Sequence, residues 1–159
     1  MLNWIHHKLS SGPLYVRITR QRLLVVDVST GKSYDDEPLM AVSTGAKKVI
    51  LAIGVSARSV DGTKTNPFSH PRVLAHDFQA LEKIFMHAFM EVLKTRRLRL
   101  TPIVVLQIDE RLDGGLTLIE SRALKEAAFN AGAYEVYIHG GSPLTNQQVK
   151  DGAYKRHAI

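Results

Sequence analysis

Apolar and polar positions alternate at the start of the regular part of the chain. From Leu14 to Thr19 apolar side chains occupy every second position, the period of a strand with one buried face. Only Gln21 and Arg22 clearly separate this segment from Leu23–Val28, which is rich in β-branched residues, so the two segments are predicted to form a hairpin. A turn at 29–32, with the sequence Ser-Thr-Gly-Lys, follows.

Two further apolar segments come before residue 57. Pro38–Val42 is predicted to be a short strand or an edge segment. Lys48–Val55 is an almost unbroken apolar run of strand length, which is typical of a strand covered on both faces. Ala57–Pro71 contains glycine, asparagine and two prolines and is predicted to be the longest irregular loop, with the most freedom to move or bind.

The pattern changes to helical spacing in the second half. Asp77 is a suitable N-cap for a helix over about Phe78–Leu93, in which apolar residues recur near every third or fourth position. Thr101–Ile108 is predicted to be another strand.

A second helix is predicted to begin after Thr117. Thr117 and Glu120 have the spacing of a capping box, and the helix is expected to run to Ala131. Gly132 can adopt the left-handed backbone conformation that commonly ends a helix. The segment Tyr134–Ile138 is predicted to be the last strand.

These elements predict an α/β fold with a mixed five-stranded sheet, in which three antiparallel strands are followed by alternating helices and strands. This order is the core of the ribonuclease-H-like fold, which also builds the subdomains of actin-type ATPases, although pattern alone leaves other mixed folds open. We expect an N-terminal arm over 1–13, a single domain over 14–145, and a tail or short helix over 146–159, with helix beginning near Leu144.

Composition narrows the function classes. The 159 residues are 45% hydrophobic and 23% charged, and the net charge of +6 permits an acidic partner without requiring one. Because cysteine is absent, disulfides, thiolate nucleophiles and cysteine-ligated metals are excluded. No apolar run has the length of a membrane span and the N-terminus lacks the pattern of a secretory signal, so we expect a cytoplasmic protein.

Several motifs resemble one known family. Thr117–Ile138 reads TLIESRALKEAAFNAGAYEVYI and is similar, without a gap, to a segment of the bacterial actin MreB family (rod shape-determining proteins) that reads roughly T-x-V-E-R-R-A-x-R-E-A-A-x-x-A-G-A-R-E-V-Y-L. Val73–Phe78 with Leu81–Ile84 resembles the family's V-I-A-D-F and T-E-K-M-L, with one extra residue. Glu37-Pro38 and Ala52-Ile53-Gly54 resemble its N-E-P and A-V-G. The similarity is colinear over about 14–145 and implies the N-terminal ATPase subdomain of an actin-like fold.

The chain departs from that family where nucleotide chemistry takes place. The resemblance implies an Asp-x-Gly phosphate loop after the first strand, but Arg17 stands at the aspartate position and Thr19 at the glycine position, followed by Arg20. After the last strand the family has an acidic E-E-P, whereas this chain has His139, Gly140, Gly141 and Ser142. The other half of the nucleotide cleft has no counterpart in these residues. We therefore expect no ATP hydrolysis, no catalytic residue and no bound cofactor.

The sequence gives little support for a metal-dependent nuclease or for a histidine metal site. A two-metal nuclease on this fold needs converging carboxylates near the first strand, where Arg17 would repel the metals. The candidate carboxylates that remain are Asp27, Asp77 and Asp109. Asp77 is better explained as a helix cap, and Asp109-Glu110 as a solvated strand-to-helix loop. The seven histidines lack metal-site spacing, so we predict no metal site; only His139 lies where the cleft would be.

Basic residues occur in two clusters. One lies at the first hairpin and consists of Arg17, Arg20 and Arg22. The other follows the first long helix and consists of Lys94, Arg96, Arg97 and Arg99. The second cluster has no aromatic residues for stacking on bases, and cations stabilise a helix C-terminus. A solvated helix end or a protein-contact patch is therefore favoured over binding of nucleic acid or lipid phosphate.

We accordingly expect a non-catalytic protein-interaction module, a pseudo-ATPase that contacts an MreB-like filament, an envelope-assembly protein or a second copy of itself. Two alternatives stay open. One is a basic adaptor for nucleic acid or anionic membrane, and the other is a residual nucleotide binder whose missing half another chain supplies.

Overall fold

The computed structural model describes residues 12–94, 101–110, 112 and 114–159. Within those ranges the chain forms two sheets and three α-helices. The strands are β1 (Leu14–Ile18), β2 (Leu23–Asp27), β3 (Ser33–Asp36), β4 (Met40–Val42), β5 (Ile50–Ile53), β6 (Thr63–Thr65), β7 (Ile103–Ile108) and β8 (Glu135–His139). The α-helices are α1 (Phe78–Leu93), α2 (Leu118–Asn130) and α3 (Asn146–Lys150), and two 3-10 helices cover Val55–Ser59 and Ala153–His157.

The main sheet has five strands in the order β3-β2-β1-β7-β8. The strands β1, β2 and β3 pair antiparallel, while β7 pairs parallel with both β1 and β8. The predicted mixed five-stranded α/β architecture is therefore confirmed. Strands β5, β4 and β6 form a second, antiparallel sheet of three strands.

Both faces of the main sheet are covered. Leu14, Val16 and Ile18 of β1 face a core shared with α1 and α2, because side chains along a strand alternate between faces. Tyr15 lies on the other face, in a smaller cluster with Val149 of α3 and Tyr154 of the second 3-10 helix. The segment after residue 145 thus packs on the domain and contributes to its core.

The helix boundaries follow the capping signals closely. The Asp77 carboxylate accepts the Ala80 N–H at 3.0 Å, which starts α1 at Phe78. Both bonds of the capping box between Thr117 and Glu120 are present, and Gly132, with a φ of +108°, follows the end of α2. None of the helices in the described ranges combines the length and the apolarity that crossing a bilayer requires.

Three sequence predictions for residues 33–71 are wrong. Lys48–Val55 is not a strand covered on both faces: β5 is an edge strand of the small sheet, and its apolar side chains are half exposed. The third strand of the main sheet is instead β3, whose polar sequence gave no strand signal. Ala57–Pro71 is not a continuous loop, because it contains part of a 3-10 helix and β6. The predicted arm over 1–13 lies outside the described residues except for Gly12 and Pro13.

Gly54 links the two sheets at a position that excludes other residues. Its φ is +89°, and a Cβ atom there would overlap the carboxylate of Asp36. That carboxylate accepts the N–H groups of Glu37 and Val55, each at 2.7 Å. The Gly54 N–H donates to the Leu39 carbonyl at 2.8 Å. The end of β3 and the end of β5 are therefore held together through Asp36.

We predict that Gly54→Ala destabilises the chain more than Gly31→Ala does. Both glycines have positive φ, so each substitution costs about 1–3 kcal/mol of backbone strain. Only Gly54 adds a clash, since a Cβ at Gly31 meets no atom within 4 Å. Urea unfolding of the two variants tests the difference, and equal losses would contradict this account of the junction.

Candidate functional site at the carboxyl ends of the parallel strands

Strands β1, β7 and β8 run parallel, so their carboxyl ends meet at one edge of the main sheet. Ile18 pairs with Ile108, and Gln107 pairs with His139. In open α/β sheets this edge is where ligands bind. Every sequence-predicted cleft residue, from Arg17 to Arg20 and from His139 to Ser142, lies at this edge or in the loops that leave it.

Arg17 at this edge forms an ion pair with the first residue after β7. Its Nε lies 2.7 Å from Oδ2 of Asp109, and the two side chains are 38% and 17% exposed. Asp109-Glu110 lies, as predicted, in the loop between β7 and α2, and both residues are partly exposed and have partners. Asp109 is paired with Arg17, and Oε1 of Glu110 accepts the Arg20 N–H at 2.7 Å. The loop after β7 is tied to the loop between β1 and β2.

The other basic residues of the first hairpin also have partners. The guanidinium of Arg20 donates to the Pro71 carbonyl at 3.1 Å, and the Arg20 carbonyl accepts from the Asn66 amide at 2.8 Å. Arg22 donates two hydrogen bonds to Asp35, at 2.7 and 2.6 Å, which lower the pKa of that carboxyl. The cluster of three arginines is engaged within the domain.

A hydrogen-bonded chain closes the loop after β8 over the sheet. The buried amide of Gln107 donates to the Gly141 carbonyl at 3.1 Å, and its Oε1 lies 3.4 Å from the Tyr15 hydroxyl. That hydroxyl accepts the Leu144 N–H at 3.0 Å. Since Gln107 and Tyr15 are almost fully buried, these bonds satisfy polar groups that water does not reach.

His139 is also directed into the protein. It is 3% exposed, and the Ser142 carbonyl accepts a hydrogen bond from its Nε2 at 3.0 Å. Its Nδ1 has no hydrogen-bond partner among the described residues. The ring meets that of His157 edge to face, with centroids 5.9 Å apart.

The last residues of the chain lie against this end of β8. Gly140 donates to the His157 carbonyl and Ile159 donates to the Ile138 carbonyl, each at 2.9 Å. Ala158 thus forms a β-bridge with His139. Of the predicted cleft positions after β8, His139 is buried, Gly141 is partly buried, and Gly140 and Ser142 stay exposed.

A shallow cavity of about 380 Å³ opens beside the site. Seven residues line it: Arg20, Pro71, Arg72, Leu112, Gly115, Thr117 and Glu120. Burial opposes ionisation of Glu120, but hydrogen bonds from the Thr117 hydroxyl and from the Leu74 and Thr117 N–H groups outweigh it and lower its pKa. This carboxylate therefore serves the capping box and the loop before α1.

The carboxylates considered for a nuclease do not converge. Asp27 lies at the opposite edge of the sheet and caps the turn after β2 through Ser29 and Thr30. Asp77 caps α1, and Asp109 pairs with Arg17. In the ranges that the structure covers, no three histidine, aspartate or glutamate side chains are grouped to hold a metal ion.

Two residues of this site were not singled out from the sequence. Tyr15 falls among the polar positions that alternate with apolar ones in the first strand. Gln107 falls within an otherwise apolar strand. Gln107 carries a usable signal, because a lone amide within Ile103–Ile108 needs buried partners. Of the basic patch at 94–99, Lys94 pairs with Glu91 at 2.6 Å. Arg96, Arg97 and Arg99 lie outside the described residues.

The sequence is similar to that of a bacterial actin. No protein-family model matches the chain. The cell shape-determining protein MreB of Pasteurella multocida (strain Pm70) is 28% identical over 137 residues, a match that covers 82% of this chain. The chain spans only 38% of the length of that relative.

Solved structures show the same fold. MreB5 of Spiroplasma citri bound to ADP superposes with a TM-score of 0.61 at 22% identity, covering 79% of this chain and 37% of that one. A non-polymerising mutant of MamK bound to AMPPNP gives a TM-score of 0.58 at 14% identity. The chain therefore resembles a fragment of an MreB-like actin fold, as its motifs predict.

We predict that Tyr15→Phe and Tyr34→Phe have different effects on stability. Tyr15→Phe removes a hydroxyl that accepts from Leu144 and contacts Gln107, so about 1 kcal/mol is lost. The buried Tyr34 hydroxyl has no hydrogen-bond partner in the described part of the chain. Burial raises the pKa of Tyr34 to about 12, and the charges of Asp36 and Glu91 add to this effect. Tyr34→Phe is expected to leave the free energy of unfolding unchanged or raise it, and equal losses in both variants would refute the proposed role of the Tyr15 hydroxyl.

Proposed function

We propose that this chain is a non-catalytic protein-interaction module, derived from one subdomain of an MreB-type actin-like ATPase and acting in the bacterial cytoplasm. The observation that carries the proposal is the ion pair between Arg17 and Asp109 at the edge where ligands of this fold class bind. The resemblance implies an aspartate at the position of Arg17, directed at magnesium.

The residues at this edge do not suit a magnesium–nucleotide complex. Phosphoryl transfer depends on positioning and on charge stabilisation, and a magnesium ion needs carboxylate or water oxygens around it. The carboxylate of Asp109 already has a cationic partner in Arg17. Thr19 adds a side chain where the family's glycine lets backbone N–H groups approach a phosphate.

The loop after β8 supports the same proposal. It carries no acidic residue from His139 to Pro143, where the family positions an acid. Its carbonyl groups at Gly141 and Ser142 accept hydrogen bonds from Gln107 and His139. These groups stabilise the domain internally and so are not directed toward a ligand.

A protein partner is the remaining part of the proposal. The Pasteurella relative is named for determining cell shape, and we extend that process to this chain, with an MreB-like filament, an envelope-assembly protein or a second copy as partner. A domain that keeps a fold and loses its chemistry acts through its surface.

A second candidate function is nucleotide binding completed by another chain. The neighbours MreB5 and MamK were solved with ADP and AMPPNP, and this chain covers 37% and 39% of them. A partner that supplied the other lobe would have to displace or accommodate the Arg17–Asp109 pair.

Calorimetry with ATP and magnesium, paired with an assay of phosphate release, tests both candidates. We expect neither binding heat nor hydrolysis above buffer from the chain alone. Arg17→Ala is the matched variant, and it too is expected not to bind, because Thr19 and the loop after β8 still lack the family's groups. Micromolar binding with hydrolysis by the chain alone would contradict the proposal. Binding that appears only when a partner chain is added would favour the second candidate.

A further inference from the structure

The edge strand of the small sheet and the residue before it expose an apolar segment, Val49–Leu51. Strand β5 pairs with β4 alone among the described strands. Val49, Ile50 and Leu51 are 48%, 41% and 43% exposed. Ala52 and Ile53 are partly buried, and Ile53 packs against the main core. The pairing of β5 with β4 contains a β-bulge at Leu51, so the exposed apolar surface is the segment Val49–Leu51.

This exposure conflicts with the sequence of the segment. The residues Val49–Ile53 are all apolar, which is the pattern of a strand buried on both sides. Edge strands are commonly protected by charges or proline, since an unpaired edge can add another strand. Here the nearest charges are Lys47 and Lys48, before the strand, and the segment 49–53 contains no charged residue and no proline.

We propose that β5 pairs antiparallel with β5 of a second copy of this chain, joining two small sheets into one of six strands. The proposal rests on the proposed function as an interaction module and names its surface and partner. A two-fold antiparallel pair places one residue opposite its own copy. Centring the pair on Leu51 sets Val49 against Ile53 and Ile50 against Ala52, so the whole apolar segment meets itself.

Charge complementarity favours this occupant. In the same register Lys48 falls opposite Gly54 and Lys47 opposite Val55 of the other copy. The carboxylate of Asp36 lies against Gly54 and accepts the Val55 N–H at 2.7 Å. The lysines of each copy therefore approach a carboxylate of the other, and like charges are kept at opposite ends of the pair.

Single introduced cysteines give a sharp test, because the chain contains none. Leu51→Cys lies on the proposed axis, where Cα atoms of an antiparallel pair are about 4.5–5.5 Å apart, within disulfide range. Under mild oxidation it is expected to form a disulfide-linked dimer much faster than Met90→Cys, which is 64% exposed on α1. Ile50→Cys and Ala52→Cys lie opposite each other, so they are expected to cross-link when the two variants are mixed.

Sedimentation equilibrium provides the second measurement. The unmodified chain is expected to show a reversible dimer, Ile50→Lys to weaken it by about tenfold or more, and Met90→Lys to leave it unchanged. Circular dichroism checks that both variants fold. A chain that stays monomeric at its highest soluble concentration, without preferential cross-linking at positions 50–52, would overturn the proposal, even if β5 captured a strand of another protein. That outcome would not affect the proposed function, which depends on the calorimetric test.

Discussion

The parallel pairing of β1 with β7 is the constraint on which the candidate site depends. Its register sets Arg17 beside Gln107 and Ile18 beside Ile108. The guanidinium of Arg17 therefore reaches Asp109, one residue beyond the end of β7. On the same face of the sheet, Tyr15 comes within reach of Gln107 and of the loop that follows β8. One strand pairing thus places both sets of contacts that hold the carboxyl edge of the sheet.

The helices of the second half could be predicted because the side chains that cap them lie next to the helix start in the sequence. The caps of α1 and α2 depend on side chains within three residues of the helix start, at Asp77 and Thr117. A similar capping box at Thr145, closed by Gln148, starts α3 at Asn146, two residues after the predicted beginning of the helix. The apolar run of β7 becomes a central strand, as its composition indicates.

The small sheet and the site contacts could not be predicted in the same way. An apolar run has the same sequence pattern in a central strand and in an uncovered edge strand. The pattern of Lys48–Val55 therefore predicts a strand covered on both faces, whereas β5 is an edge strand. The pairing of β3 depends on its neighbour β2, since the sequence Ser-Tyr-Asp-Asp has little strand propensity of its own. Asp109 meets Arg17 across 92 positions of the chain, a contact that no spacing rule reveals.

Part of the net charge of +6 comes from arginines that have partners within the domain. Arg17 and Arg22 are paired with carboxylates, and Arg20 is bonded to a backbone carbonyl. Arg17 ties β1 to the loop after β7, Arg20 ties the first hairpin to the segment before α1, and Arg22 ties it to β3. Surface ion pairs contribute little to stability individually, so their main consequence here is to fix the loop between β1 and β2 against its neighbours.

We propose that this edge is used for internal contacts and not for a nucleotide. The most direct measurement is a titration of the isotope-labelled chain with ATP and magnesium, followed through the backbone amide resonances of Thr19, Arg20, Gly140 and Gly141. The account predicts that these four resonances stay in place at saturating nucleotide. Stepwise, saturable shifts at these amides would contradict it.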